Sequence, residues 1–365
     1  MRIYYLNILR INVVGMKLAI HISLDYRDAC IKEVLTLLES YGIKYKIIGL
    51  FNKVILLDIS GYEGRPEEEV LEYIFKRSSC VKRALKIYTV SNSYNLEELY
   101  SGDLKEYVSR FKHVAIHVHL YNPRIVHREE INSVIDDIYK LYVKDLRLKV
   151  DLEKPDVIIG VYNVEDIILV GIELYDELRK GFEHRRAKYR PVFSPFSLHP
   201  KLARLMINLS GVREGSILID PFCGVASIPM EASLLSIEAI CIEYFFKWCV
   251  GGLKNVEWID ETLNYIDVIN ADSLKDVLRV YEYSNEVYIV TDPPYGRITS
   301  TGYRDIASIY RNFIEKYVSY AKRSVFMSPE DIDDYIYKYD LRVNFKSVIP
   351  VHRNLKRILY VVERD

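Results

Sequence analysis

The strongest chemical signal in the 365-residue sequence is Asp292-Pro293-Pro294-Tyr295-Gly296. Two successive prolines hold the chain extended and remove two backbone donors. What then faces a crevice is acceptors, the backbone carbonyls and the Asp292 carboxylate. Tyr295 adds a flat face on which a base can stack. Acceptors beside a stacking surface suit an exocyclic amino group. Holding its N–H donors aims the nitrogen lone pair at an electrophile. Asp292, Pro293, Pro294 and Tyr295 are therefore the candidate catalytic residues. A rigid turn that merely ends a strand could use the same residue types, so the surrounding fold has to decide.

A second signal is Ile217-Leu218-Ile219-Asp220-Pro221-Phe222-Cys223-Gly224, an apolar strand running into a glycine turn before helical text. Glycine permits close approach of the backbone, and the helix start that follows favours an anionic group. Cys223 has no base near it in sequence and reads as a small packing residue. Glu243 ends the next strand, nineteen residues after Gly224, where a carboxylate can accept from ribose hydroxyls. Asp272 follows a third strand, where it could read an adenine amino group or cap a helix. Asp220, Phe222, Cys223, Gly224, Glu243, Asp272 and Asp292 are the candidate cofactor contacts. The sequence contains no GxGxxG and no GxxxxGK[ST], the signatures of a dinucleotide and a nucleoside triphosphate. S-adenosylmethionine, an already activated methyl donor, fits what remains. Catalysis would then be alignment of nitrogen, methyl carbon and sulfur.

The elements that must carry these residues can be read from periodicity. Residues 16–90 follow the order β-α-β-β-α-β of a ferredoxin-like domain, behind an extension at residues 1–15. In its first helix Ile31, Val34, Leu35 and Leu38 fall on one face. Pro66 opens the second. Residues 91–110 are polar and loop-like, and 91–175 form a second α/β unit. Residues 176–195 are a linker. From 196 to 365 strands and helices alternate as in a doubly wound, Rossmann-like sheet, whose ligands sit beyond the carboxyl ends of the strands. The fold class is thus a multidomain mixture of α/β and α+β.

Composition narrows the function class. Half the residues are hydrophobic and 28% charged, a globular balance. No apolar run is long enough to span a membrane, and the first residues do not resemble a signal peptide. Five cysteines without a CxxC pair argue against a disulfide framework or a zinc knuckle, point to no metal, and fit a reducing cytoplasm. Net charge is −1, so any case for nucleic acid rests on local clusters. The linker supplies one: Arg185, Arg186, Lys188 and Arg190 alternate with Phe182, Tyr189 and Phe193.

Taken together, DPFCGVASIPMEA at 220–232 and the Asp292–Gly296 string resemble the archaeal THUMP-containing tRNA guanine-N2 methyltransferases that modify guanosine-10. The stretch 149–156, the linker 182–191, Ser197–Met206 and the tail Val351–Leu355 are similar to that family as well. The resemblance implies an N-terminal ferredoxin-like plus THUMP module that docks tRNA, and a C-terminal class I methyltransferase domain that binds S-adenosylmethionine. It places Ser197 near the cofactor's methionine end and Asp292, Pro293 and Tyr295 around the guanine N2 amine. It assigns phosphate contacts to Arg185, Arg186, Lys188 and Arg190, and leaves a small activating subunit open as a partner. One departure stands out. The family usually reads Gly-Thr-Gly-Gly after the cysteine, and here it is Gly224-Val225-Ala226-Ser227. If position 226 needs positive φ, alanine costs about 1 kcal/mol or more.

The expected activity is transfer of one or two methyl groups to the N2 of a guanosine flipped out of tRNA. Two alternatives stay open. One is an amino-methyltransferase acting on DNA or protein; the other is a non-catalytic tRNA-binding protein with a decayed cofactor site.

Overall fold

A computed structural model describes residues 16–59, 67–92, 96–121, 128–176, 181–259, 266–295 (except 276, 279 and 284–286), 306–352 and 355–364. The expected extension at 1–15, Pro66, Gly296 and part of the tail motif at 351–355 lie outside the described residues. The chain forms two compact units. The first draws on Met1–Leu24, Gly42–Lys76 and Val81–Leu178; the second on Asp25–Tyr41, Arg77–Cys80 and Arg179–Asp365.

In chain order the first half runs β1 (Met16–Ile22), α1 (Arg27–Ser40), β2 (Tyr45–Leu50), β3 (Val54–Ile59), α2 (Glu67–Arg77) and β4 (Val81–Ser91). It continues through α3 (Leu96–Leu99), α4 (Gly102–Val108), β5 (His113–Leu120), α5 (Arg128–Tyr139), β6 (Lys149–Val150), β7 (Val157–Val164) and β8 (Ile167–Asp176). The strands of the first unit make one eight-stranded sheet, ordered β2-β3-β1-β4-β8-β7-β5-β6. Because β4 pairs with β8, the boundary expected at residue 90 is a seam inside a continuous sheet.

The stretch 91–110, read from its polarity as loop, holds α3 and α4. Three apolar residues at helical spacing, Leu99, Leu104 and Val108, suffice to bury them against Val134, Ile138 and Tyr142. Ser101 caps α4 by accepting from the Leu104 N–H. The buried Tyr142 hydroxyl donates to Leu99 O at 2.8 Å and accepts from Ser101 N–H at 2.7 Å. Tyr142→Phe strands both backbone groups and should cost about 1–3 kcal/mol, measured by urea denaturation. Tyr310 and Tyr317 are also buried and donate to backbone carbonyls, so several of the 31 tyrosines act as apolar bodies with one polar anchor.

The second unit adds α6 (Pro200–Ser210), β9 (Ile217–Asp220), α7 (Ser227–Ser233), β10 (Glu238–Glu243), α8 (Phe246–Ile259), β11 (Ile266–Asn270) and β12 (Val287–Thr291). It ends with α9 (Ile306–Phe313), β13 (Arg323–Ser328), α10 (Asp333–Tyr337), β14 (Leu341–His352) and β15 (Leu355–Arg364). Its seven-stranded sheet is ordered β11-β10-β9-β12-β13-β15-β14. Strands β11 to β13 run parallel, and β15 is antiparallel to both of its neighbours. Strand order reverses between β9 and β12, the switch point at which such sheets open a crevice. Behind it Tyr310, Phe313 and Tyr317 bury an apolar face in one cluster, and Ile309 is buried beside them.

Two sequence expectations change here. Helix α1 buries Val34 and Leu38 of the expected face but leaves Ile31 and Leu35 half-buried, and buries Cys30, Glu33 and Leu37 as well. Glu33 is inside because Ser78 Oγ, Ser79 N–H, Cys80 N–H and Asn208 Nδ2 all donate to it. The cysteines are also paired, Cys30 with Cys80 and Cys223 with Cys241, leaving only Cys249 free. Their Cα atoms lie 5.4 and 5.5 Å apart although 50 and 18 residues separate them, a proximity that spacing motifs do not encode. Among the described residues no helix is long and apolar enough to cross a membrane.

Candidate active site

A cleft of about 700 Å³ lies over the switch point of the second unit. Its walls bring together Ser197, Asp220, Phe222, Cys223, Gly224, Glu243, Asp272, Asp292, Pro293, Pro294 and Tyr295. All the described candidate catalytic and cofactor residues thus line one cavity, of a size ordinary for a small-molecule site.

The floor is the loop after β9. Asp220 is buried and accepts from Phe222 N–H at 3.2 Å and Thr291 Oγ1 at 2.6 Å. Burial pushes its carboxyl up to about 7. Gly224 has φ +56, and its N–H donates to Glu243 Oε2 at 2.9 Å. Phe245 N–H donates to the other oxygen at 2.8 Å. Each Glu243 oxygen keeps a lone pair for a ribose hydroxyl. Its carboxyl is raised by burial, with these backbone bonds opposing. Asp272 accepts from Leu274 N–H at 3.2 Å, the turn-forming bond, while still facing the cleft. Ser197 Oγ is buried without a partner at the same wall. Cys223 is no free thiol, since it is bonded to Cys241.

Position 226 does need positive φ: Ala226 sits at φ +64, at the entry to α7. Gly252 of α8 faces it, and a Cβ there would lie 3.2 Å from the Ala226 methyl. Ala226→Gly should raise stability by about 1 kcal/mol, read from the shift in urea midpoint.

At the end of β12, Asp292 shows what the sequence did not reveal. Arg357 of β15 donates from Nη1 to Asp292 Oδ2 at 2.7 Å. Its guanidinium lies 4.0 Å from the centre of the Tyr295 ring. Asp292 Oδ1 is buried with no partner. Burial pushes the Asp292 carboxyl up to about 7, with Arg357 opposing. Tyr26, Phe245 and Trp248 also line the cleft. Nothing in sequence joins Arg357 to the tetrad across a separation of 65 residues.

The linker cations divide. Arg185 makes a two-point contact with Glu231, Nε to Oε1 at 2.7 Å and Nη2 to Oε2 at 3.1 Å. Arg190 is buried and donates to Ser227 Oγ, Arg185 O and Leu198 O. These two hold the linker on the second unit and are not presented to a phosphate. Arg186 and Lys188 remain exposed.

Residues 187–280 match the UPF0020 family, described as RMKL-like, methyltransferase domain. The tRNA (guanine(10)-N2)-dimethyltransferase of Methanothermobacter thermautotrophicus is 33% identical over 225 residues, 60% of this chain and 65% of that one. Its namesake in Methanocaldococcus jannaschii is 27% identical over 85% of this chain and 94% of its own length. The chain is thus similar to archaeal tRNA (guanine(10)-N2)-dimethyltransferases, and spans just under two thirds of the length of the first of them. A tRNA (guanine(6)-N2)-methyltransferase of M. jannaschii is 24% identical over 89% of this chain and 95% of its own. Ala226 holds a positive φ that glycine adopts more readily, and carries a methyl that glycine lacks.

Proposed function

We propose that the protein is an S-adenosylmethionine-dependent tRNA methyltransferase that methylates the exocyclic N2 of guanosine, at position 10. The observation that carries this reading is Asp292 Oδ1, a buried acceptor without a partner, at the strand end where the cleft opens beside Tyr295. An amine N–H supplies the missing donor.

The cleft residues fit the cofactor. The spare lone pairs of Glu243 suit ribose hydroxyls, the orphan Ser197 Oγ suits the polar methionine end, and Asp220 suits a positive group. Bound there, S-adenosylmethionine supplies a methyl group on a positively charged sulfur. The protein's own residues do the rest by placement. Asp292 accepts one amine hydrogen and orients the nitrogen, Tyr295 carries the base, and Pro293 and Pro294 keep the strand end free of competing donors. With the methyl donor bound, the Asp292 carboxylate would take the proton that the methylated nitrogen sheds. Arg357 must leave the Tyr295 face for a base to stack there.

In the same reading, residues 16–90 form a ferredoxin-like domain and 91–175 a THUMP domain that dock tRNA, although Asp25–Tyr41 and Arg77–Cys80 pack with the second unit. The strand order β2-β3-β1-β4 supports the former. Residues 176–195 remain the linker and 196–365 the bulk of the methyltransferase domain. Arg186 and Lys188 are the linker's phosphate contacts.

The test is incubation of the purified chain with unmodified tRNA transcript and S-adenosylmethionine, then nucleoside mass spectrometry. N2-methyl- or N2,N2-dimethylguanosine, lost when guanosine-10 is replaced by adenosine, is the expected product. Loss on replacing guanosine-6 instead moves the site. No product with the cofactor bound points to a missing activating subunit or another substrate. No product and no cofactor binding leaves a tRNA-binding protein.

A further inference from the structure

We propose that His117, His119 and Glu173 form a binding site for a divalent transition-metal ion of the zinc class in the first unit. His117 and His119 are two apart on β5, so both rings leave the same face of the sheet. Glu173 comes from β8, with β7 between. His117 is in register with Gly160 on β7, and Gly160 with Gly171 on β8. The Glu173 side chain crosses β7 over Gly160. A Cβ at Gly160 would lie 2.9 Å from Glu173 Cγ and 2.5 Å from Leu85 Cδ1. The glycine is what lets the carboxylate reach the two rings.

The donor atoms converge. His119 Nε2 lies 2.7 Å from Glu173 Oε1, and His117 Nδ1 lies 3.0 Å from Glu173 Oε2. One ligand atom from each of the three residues lies within 4.8 Å of the others. Bonds of about 2.0–2.2 Å to a tetrahedral ion set its ligands roughly 3.3 Å apart, a spacing reached by small rotations of the rings. His119 is seated edge-on against Tyr162, with centroids 5.1 Å apart. The carboxylate is 1% exposed and the rings 19% and 30%, so a buried anion sits beneath a mouth open to solvent. Both Glu173 oxygens face imidazoles, and neither contacts a lysine or arginine among the described residues. A divalent cation held there supplies a counter-charge directly to the carboxylate. Two imidazoles and one carboxylate suit zinc, cobalt or nickel rather than magnesium or calcium, and leave a coordination position for water. Bound there, the ion would clasp β5 to β8 across β7.

The test uses the untagged full-length chain, stripped with chelator and titrated with Zn²⁺ by calorimetry, with metal content read by mass spectrometry. One equivalent per chain is expected, with a Tm rise of about 5 °C at excess metal. Co²⁺ in place of Zn²⁺ should give visible ligand-field bands of a nitrogen and oxygen site in the unaltered protein. His119→Ala, and separately Glu173→Gln, should weaken binding by at least the roughly 10–100-fold that disturbing a ligand's support costs. His113→Ala, an exposed histidine on the same strand outside the cluster, should leave it unchanged. Metal-free melting curves show whether each variant folds. No stoichiometric uptake, no cobalt bands, or equal uptake by wild type and the folded His117→Ala/His119→Ala double variant overturns the proposal.

Discussion

Asp292→Asn should lower single-turnover methyl transfer by about 10²–10³-fold while leaving cofactor affinity within a factor of a few. The fold reduction is that of losing one preorganised polar group at a reacting centre. Asparagine keeps the shape and can still face Arg357, but it replaces a carboxylate oxygen by a donor or a weaker acceptor. An amine then meets less attraction and has no base for its proton. The wild-type pH profile carries a matching signature. Burial holds the Asp292 carboxyl at about 7 against an ordinary 3.8. The working form is ionised, so the rate falls as pH drops through about 7. The asparagine variant lacks that limb. Arg357→Met removes the group that favours ionisation, so the limb moves to higher pH. Rates that follow the same pH profile in all three proteins would rule out Asp292 as the acceptor. The stability linkage has the opposite sense. The folded carboxyl keeps its proton between about 4 and 7 while the unfolded one has lost it, so this residue makes the fold less stable as pH rises through that window.

Glu231→Gln should destabilise the second unit by about 3–5 kcal/mol, the cost of breaking a buried ion pair from one side. Glu231 is almost fully buried in α7. It takes both Arg185 bonds and one from Arg204 Nη2 at 2.8 Å. Without the carboxylate two guanidiniums face each other in a desolvated space. The melting temperature should fall by roughly 10 °C or more, and Arg185→Ala should also lower it. A phosphate-binding Arg185 would behave differently: tRNA affinity would drop and the melting curve would stay in place. Recording both quantities for Arg185→Ala and Arg186→Ala separates a linker clamp from an RNA contact.

The candidate catalytic and cofactor residues that meet in the cleft could be picked out because each is announced by its neighbours in sequence. Asp220 and Asp292 sit at the ends of apolar strands, Gly224 follows a short turn, and Glu243 comes one helix later. The strand order of the parallel sheet then brings them into one cleft. What was not legible depends on pairs far apart in the chain. Arg357 reads as one more surface cation until β15 inserts beside β13. Glu33 reads as the polar side of α1 until Asn208 and the Ser78–Cys80 backbone meet it. Cysteine pairing fails for the same reason, as does the cluster of His117 and His119 with Glu173. The H-x-H spacing is common in half-buried strands, and its carboxylate lies 54 residues away. The loop reading of 91–110 failed differently. It weighed average polarity where three well-spaced apolar residues were enough.

The second unit is discontinuous along the chain, and this bears on synthesis. Its first piece, Asp25–Tyr41, leaves the ribosome long before the rest. Glu33 waits 175 residues for Asn208, while the intervening strands of the first unit are already available to pair. Domains that complete early generally fold early, so the strands of the first unit can pair before the second unit's remaining residues exist. A gene cut at the linker would deliver a methyltransferase half lacking that first piece. The two halves expressed separately should therefore be less soluble than the whole, even though each sheet is contiguous on its own.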